Sequence, residues 1–312
     1  MMNNTVIAEN YKNYTIDLAS VHKLDIWLET NYGIKCFENE LEPNHYLVDV
    51  PEKEIKHLNA LHKHIGNQKA TITKATIEAA NIYSRAPWRQ IWFSKRRAWT
   101  IDSISMISAV IELMRNEGKT PRYLDVGCHI GFLPRYISEK YTLLSTGIDI
   151  AEDAVRTARE LAIPYQVEFL HQSPSDITKG RAWEVVSAVD LVQPNQLAFK
   201  KIMKSVCDLV APNGTLIVIG NYVASQAVLN FFRELGFSCL SAQLTGGYHH
   251  GLSTEGFPDW NAKAAYHFKK TKNIDTLGKP VSGDQFDFAE YANSGDYPPR
   301  EINRSYFLAR QL

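Results

Sequence analysis

The residues best placed to do chemistry stand where short apolar runs end. From Tyr123 the chain reads Tyr-Leu-Asp-Val-Gly-Cys-His-Ile-Gly, so the carboxylate of Asp125 precedes a turn framed by Gly127 and Gly131. Glycines there let the backbone turn tightly and approach a ligand without a Cβ in the way. The spacing is neither the G-x-G-x-x-G of a dinucleotide site nor a P-loop, which needs a Lys-Ser/Thr pair. A carboxylate ahead of the turn repels a pyrophosphate and suits a ligand bearing an ammonium group. A second run ends in Gly147-Ile148-Asp149-Ile150, where a carboxylate can accept hydrogen bonds from both hydroxyls of a ribose. Each aspartate has an alternative reading as a turn residue capping the next helix.

Further candidates follow later runs. Asp190, in Val189-Asp190-Leu191, could orient a hydroxyl or amine, or cap the segment after it. Asn221 and Tyr222 follow Thr215–Gly220 and either face the same crevice or pack a loop. Tyr248-His249-His250, flanked by glycines, offers imidazoles that titrate near neutrality and can take a proton; an exposed loop is the alternative. Adjacent histidines rarely share one ion and no matching carboxylate–His spacing is present, so no metal is expected. Between Ser84 and Thr100, Arg85, Arg89, Lys95, Arg96 and Arg97 alternate with Trp88, Trp92, Phe93 and Trp99. Such a segment could grip an anionic group beside a ring, or RNA, or simply pack its tryptophans and leave its charges in water.

These residues need a scaffold that collects strand ends. From Tyr123 the pattern alternates strand and helix: strands Tyr123–Val126, Leu144–Ile148, Val167–Leu170, Trp183–Val189, Thr215–Gly220 and Phe237–Leu240 are separated by helices Leu133–Glu139, Glu152–Ala162, Gln196–Val210 and Ala224–Leu235. Arg304–Arg310 reads as a closing strand, after a Gly/Pro/Tyr-rich insertion from Thr245 to Asn303. Alternation of this kind implies right-handed crossovers and a parallel sheet with ligands at its carboxyl edge. Upstream, Val21–Glu29 and Glu52–His64 have helical spacing, Ile34–Glu38 and Tyr46–Val50 read as strands, and Ile101–Asn116 is an amphipathic helix ended by Glu117-Gly118. The expected fold is α/β: a doubly wound, mostly parallel, seven-stranded Rossmann-like sheet with an N-terminal α/β appendage and a long insertion before the last strand. Residues 1–100 form an accessory region, and 101–312 the main domain, with its insertion at about 245–303.

Composition narrows the partners. The 312 residues are 45% hydrophobic, and 34 basic residues balance 34 acidic ones. The apolar fraction supports a real core, and the charge balance offers no extended footprint for a nucleic-acid backbone. The four cysteines, Cys36, Cys128, Cys207 and Cys239, form no CxxC pair, so buried thiols in a reducing cytoplasm are expected rather than zinc or disulfides. Met1 to Tyr11 lacks an apolar core and no apolar run reaches the length of a membrane span; neither a secretory signal nor a membrane segment is expected.

Four blocks, Leu124–Gly131, Gly147-Ile148-Asp149, Trp183-Glu184-Val185-Val186 and Leu209–Leu216, taken in order, resemble the class I S-adenosylmethionine-dependent methyltransferase superfamily over roughly Ile101 to Gly236. The electrostatic reading of Asp125 agrees with that cofactor. The resemblance implies that Asp125, Gly127, Cys128 and Gly131 line the methionine part, that Asp149 holds the ribose and that Ile150 packs on the adenine. The family's acidic adenine reader is replaced by Ser173, with Gln172 beside it; either oxygen could accept the same hydrogen bond. The methyl end would lie near Asp190. The resemblance thus implies an enzyme methylating O or N of a small polar molecule or sugar-containing metabolite, one that can carry an anionic group. His249, His250, Asp190 and Tyr222 are the catalytic candidates, and Arg89, Arg97, Asn221 and Tyr248 the acceptor contacts. An RNA or protein methyltransferase, or a non-catalytic cofactor-binding module, is the alternative.

Overall fold

The computed structural model describes residues 52–67, 74–85, 97–162, 166–178, 180–191, 199–220, 226–245 and 263–271. Its elements are α1 (Glu52–Asn67), α2 (Lys74–Tyr83), α3 (Arg97–Asn116), β1 (Tyr123–Val126), α4 (Phe132–Tyr141), β2 (Ser145–Asp149), α5 (Glu152–Leu161), β3 (Val167–His171), β4 (Trp183–Val189), α6 (Phe199–Asp208), β5 (Val210–Gly220), α7 (Gln226–Glu234), β6 (Phe237–Thr245) and β7 (Lys263–Lys270). The strands form one seven-stranded sheet in the order β3-β2-β1-β4-β5-β7-β6. β1 to β5 pair in parallel, and β7 lies antiparallel between β5 and β6. This is the Rossmann-like α/β sheet expected.

Near-continuous apolar runs make the central strands, because both faces are covered. On one face Ile107, Val110, Ile111 and Met114 of α3 and Ile137 of α4 pack over Tyr123, Val185, Ile217 and Ile219. On the other, Met203 and Val206 of α6 and Phe232 of α7 pack over Leu124, Val126, Val186, Leu216 and Val218. Glu152 and Asp153 occupy the first turn of α5 and complement its dipole.

The sheet closes differently from the sequence reading. The place beside β5 is filled by Lys263–Lys270, inside the expected insertion, while Arg304–Arg310 lies outside the described residues. Its pattern is decisive: Ala265, Tyr266, His267 and Phe268 are all buried, whereas Lys269 and Lys270 are only half-buried. β6 runs on to Thr245 rather than ending near Leu240. β5 begins at Val210, because Pro212 and Asn213 form an exposed irregularity within it: Trp183 pairs Val210 but Val185 pairs Thr215. α3 starts at Arg97 and so crosses the expected boundary at residue 100, and α2 is additional to the elements expected. The expected elements at Val21–Glu29, Ile34–Glu38 and Tyr46–Val50 lie outside the described residues. Among the described residues no helix is long and apolar enough to cross a membrane, and no group of side chains could hold a metal ion.

Candidate functional site

The order β2-β1-β4 brings three carboxyl ends together at the centre of the sheet. After β1 the backbone enters the left-handed region at Gly127 (φ 78°) and again at His129 (φ 50°) and Gly131 (φ 75°). The amides of Gly127 and Cys128 both donate to the Ile148 carbonyl, at 2.8 and 3.1 Å, and fold the turn over the end of β2. A left-handed histidine is uncommon; here its amide donates to Asp149 Oδ2 at 2.8 Å. The other oxygen, Oδ1, accepts from the Ala151 amide at 2.8 Å, just ahead of α5. Asp149 thus ties the β1 turn to the start of α5. Its carboxylate is partly exposed, and each oxygen keeps a lone pair for a further donor.

Asp125 is a different carboxylate, buried at 3% exposure. The parallel register sets it opposite Ser187 on β4. Ser187 Oγ donates to Asp125 Oδ1 at 2.5 Å and lies 2.7 Å from the Tyr123 hydroxyl, which must then be the donor to it. Burial pushes the Asp125 carboxyl up to about 7; the Ser187 hydrogen bond opposes the shift and the charge of Asp149 adds to it. Ser187 holds Oδ1, which leaves Oδ2 for an incoming donor.

Asp190 follows β4 in a left-handed conformation (φ 55°), its amide held by the Ile219 carbonyl at 2.6 Å. The next side chain, Leu191, lies across the β1 turn: a Cβ on Gly127 would come within 2.8 Å of its Cδ1. Beyond β3, the Gln172 amide donates to the Asp149 carbonyl at 3.0 Å and its side chain is exposed. Ile150 is half-buried, and its carbonyl lies 3.1 Å from His171 Nε2. Ser173 caps the short 3-10 helix Pro174–Asp176: its Oγ accepts from the Ser175 amide, while its own amide donates to Asp176. The serine at the expected adenine-reading position is therefore engaged locally.

Asp125, Gly127, Asp149, Ile150, Gln172 and Asp190 all gather at this edge of the sheet. Cys128 and Gly131 have another reason for their identities. The Cys128 side chain is buried with Val155, Ala158, Ala162 and Phe169. A Cβ on Gly131 would meet Phe169 Cζ at 2.2 Å, and one on Gly147 would meet the same ring at 2.7 Å. The Phe169 ring packs where these glycines leave room, so any ligand contact by Cys128 would be through its backbone. Arg89, Asn221, Tyr222, Tyr248, His249 and His250 lie outside the described residues, as does the Arg97 side chain, although Arg97 opens α3.

The sequence reading missed three features. Ser187 could have been noticed as a hydroxyl inside an otherwise apolar strand. Leu191 carried no signal beyond its place after Asp190. The third is the docking of α2: His129 Nε2 lies 3.1 Å from the Ala80 carbonyl, the Asp153 amide donates to Asn81 Oδ1 at 3.1 Å, and Arg85 pairs with Asp153 at 3.2 Å. Arg85, read with the basic cluster, is thus turned to α5.

No protein-family model matches the chain, and no curated protein matches it significantly. Solved structures with a similar chain path include the magnesium protoporphyrin IX methyltransferase of Synechocystis with bound S-adenosylmethionine, at 14% identity and a TM-score of 0.46 over 65% of this chain and 99% of that one. A TehB-like S-adenosylmethionine-dependent methyltransferase from Corynebacterium glutamicum is similar at 12% identity and a TM-score of 0.39, over 52% of this chain and 86% of that one. The N-methyltransferase NodS from Bradyrhizobium japonicum is similar at 13% identity and a TM-score of 0.40, over 54% and 95%. At such identities and scores these likenesses decide nothing about the reaction; the residues must carry it.

Proposed function

We propose that the chain binds S-adenosylmethionine across the carboxyl ends of β1, β2 and β4 and transfers its methyl group to an oxygen or nitrogen of a small polar acceptor. The observation that carries this reading is the pair of unlike carboxylates at adjoining strand ends. Asp149 is partly exposed, prefixed by two backbone amides, and retains lone pairs suited to two ribose hydroxyls. Asp125 is buried beside the glycine turn, with one oxygen still open. A pyrophosphate has no use for either, whereas a nucleoside bearing an ammonium group can use both.

When bound, S-adenosylmethionine supplies a methyl group already activated by a sulfonium, so the protein's work is mainly to position and to exclude water. Asp149 would orient the ribose and Asp125 the ammonium. Ile150 would offer an apolar wall and the exposed Gln172 a polar contact to the adenine. Leu191, lying on Gly127, would press on the ligand's methionine portion or swing aside to admit it. Asp190 would orient an acceptor hydroxyl or amine, with His249 or His250 as the base where a proton must leave. Arg89 and Arg97 would hold an anionic group on the acceptor, contacts shared with Asn221, Tyr222 and Tyr248.

Replacement of Asp149 tests the reading. Asp149→Ala removes charge-assisted hydrogen bonds to the ribose, a loss of about 1.5–3 kcal/mol, or roughly tenfold to a hundredfold in affinity. It also strands the His129 and Ala151 amides, so the melting temperature should fall with it. Calorimetric titration with S-adenosylhomocysteine, well below the melting point, separates the two effects. A folded variant with unchanged affinity would remove Asp149 from the site. Binding without methyl transfer in an acceptor screen would favour a binding module, and steeply salt-dependent capture of RNA would favour a macromolecular acceptor.

A further inference from the structure

A concave site lies between α1 and α2. It is an open cleft of about 400 Å³, within the range of small-molecule sites. Glu54 and His57 line it from α1; Lys74, Ile77, Glu78, Asn81 and Ile82 line it from α2, with Arg85, already paired to Asp153, just beyond. The α1 pair stands three residues apart, and on α2 Ile77, Glu78 and Ile82 fall three, four and eight residues after Lys74, which places each set on one helical face. Ile82 is buried and Ile77 half-buried, so the α2 side has an apolar floor with charged groups of both signs around it.

The charges are not paired as local spacing would pair them. Lys74 and Glu78 stand four residues apart, an ordinary ion-pair spacing on a helix. Instead Glu78 Oε1 lies 2.7 Å from His57 Nε2 across the cleft. Among the described residues Lys74 has no carboxylate partner. An ammonium and a carboxylate about one turn apart, each with capacity to spare, complement a ligand that carries the opposite charges at short separation.

We propose that this cleft binds an α-amino acid with an apolar side chain, its carboxylate on Lys74, its ammonium between Glu78 and Glu54, and its side chain on Ile77 and Ile82. The site is separate from that of a methyl acceptor. α2 is fastened to the turns after β1 and β2, through Ala80 and Asn81, whereas Asp190 follows β4, on the far side of β1. The proposal stands on the cleft alone and does not depend on the methyl-transfer reading.

Titration calorimetry of the full chain with L-leucine, L-valine and L-phenylalanine tests it, performed with S-adenosylhomocysteine saturating so that a methionine-binding pocket is blocked. At least one amino acid should bind. For leucine, the analogues 4-methylpentanoate, lacking the amine, and 3-methylbutylamine, lacking the carboxylate, should each bind at least tenfold more weakly. Lys74→Met and Glu78→Gln should each weaken amino-acid binding at least tenfold with the melting temperature little changed, and Asp149→Ala should leave it intact. No binding by any of the three, equal binding by either analogue, or full affinity in Lys74→Met overturns the proposal. Loss of S-adenosylhomocysteine binding in Asp149→Ala, with leucine binding retained, keeps the two sites distinguishable.

Discussion

Replacing Asp125 by asparagine should make the protein more stable at neutral pH, and more so as the pH rises. The buried carboxyl is pushed from 3.8 to about 7 in the folded chain, chiefly by desolvation, with the Ser187 hydrogen bond opposing and Asp149 contributing. Between those values the folded state holds a proton that the unfolded state has released. Stability therefore falls as pH rises across that window: the contribution is fully present below about pH 4 and lost above about pH 7. A difference of about three pH units corresponds to about 4 kcal/mol, an upper figure because a relaxing interior or an entering water would lessen it. Asp125→Asn keeps an oxygen that accepts from Ser187 and has no proton to lose. Urea unfolding of both proteins from pH 4 to pH 8 should give nearly equal stabilities at the acid end. The variant should gain steadily above pH 5, by a few kcal/mol at pH 8. Since other groups titrate in both proteins, only the difference between the curves counts; parallel curves would refute a buried, proton-holding Asp125. The same linkage reaches the proposed ligand. An ammonium beside Asp125 favours its ionised form, so affinity for S-adenosylhomocysteine should weaken by up to about tenfold per pH unit below 7, and Asp125→Asn should abolish that dependence.

Gly147→Ala should cost about 1–3 kcal/mol, since the new methyl would stand 2.7 Å from the Phe169 ring and 2.8 Å from Cys128 Sγ; adding Phe169→Leu should recover part of it in urea unfolding, and an undiminished Gly147→Ala would show that the ring yields freely. His129→Ala removes the ring that reaches the Ala80 carbonyl at 3.1 Å. Amide exchange across α2 should then quicken while that of β4 and β5 stays slow; unchanged protection in α2 would mean that Asn81 and Arg85 hold the helix unaided.

What could be read from the sequence was what neighbours in sequence decide. Asp125, Gly127 and Asp149 announced themselves because each sits at the end of an apolar run, and the alternation of runs was enough to order β1 through β6. The partner of Asp125 could not be read in the same way: Ser187 is 62 residues away and meets it only through the β1–β4 register. Gly131 and Cys128 show a different limit. A glycine after a strand has the same appearance whether a ligand or a phenylalanine fills the space beside it, and only the position of Phe169 decides. The last strand failed for want of a partner. Lys-Ala-Ala-Tyr-His-Phe-Lys-Lys is an unremarkable run within a Gly/Pro-rich stretch, and nothing local marks it as the segment paired with β5 and β6. α2 is held by contacts to His129 and Asp153, distant in sequence.

The two central carboxylates are held differently, and on the proposed reading they would divide the work of binding accordingly. Asp149 is fixed before any ligand arrives, because the amides of His129 and Ala151 orient both its oxygens. A ribose meeting it would find acceptors already aimed, and little side-chain freedom would remain to be lost on binding. Asp125 is fixed in position by Ser187 but not in charge, since burial leaves its proton nearly balanced at neutral pH. A cation arriving beside it would complete the ionisation, and that interaction strengthens in a site shielded from water. On the proposed reading geometry would thus be set at β2 and charge discrimination at β1. A neutral nucleoside should engage the first alone, and a nucleoside with an ammonium tail should engage both. Adenosine affinity independent of pH, beside S-adenosylhomocysteine affinity that rises toward pH 8, is the pattern this division requires.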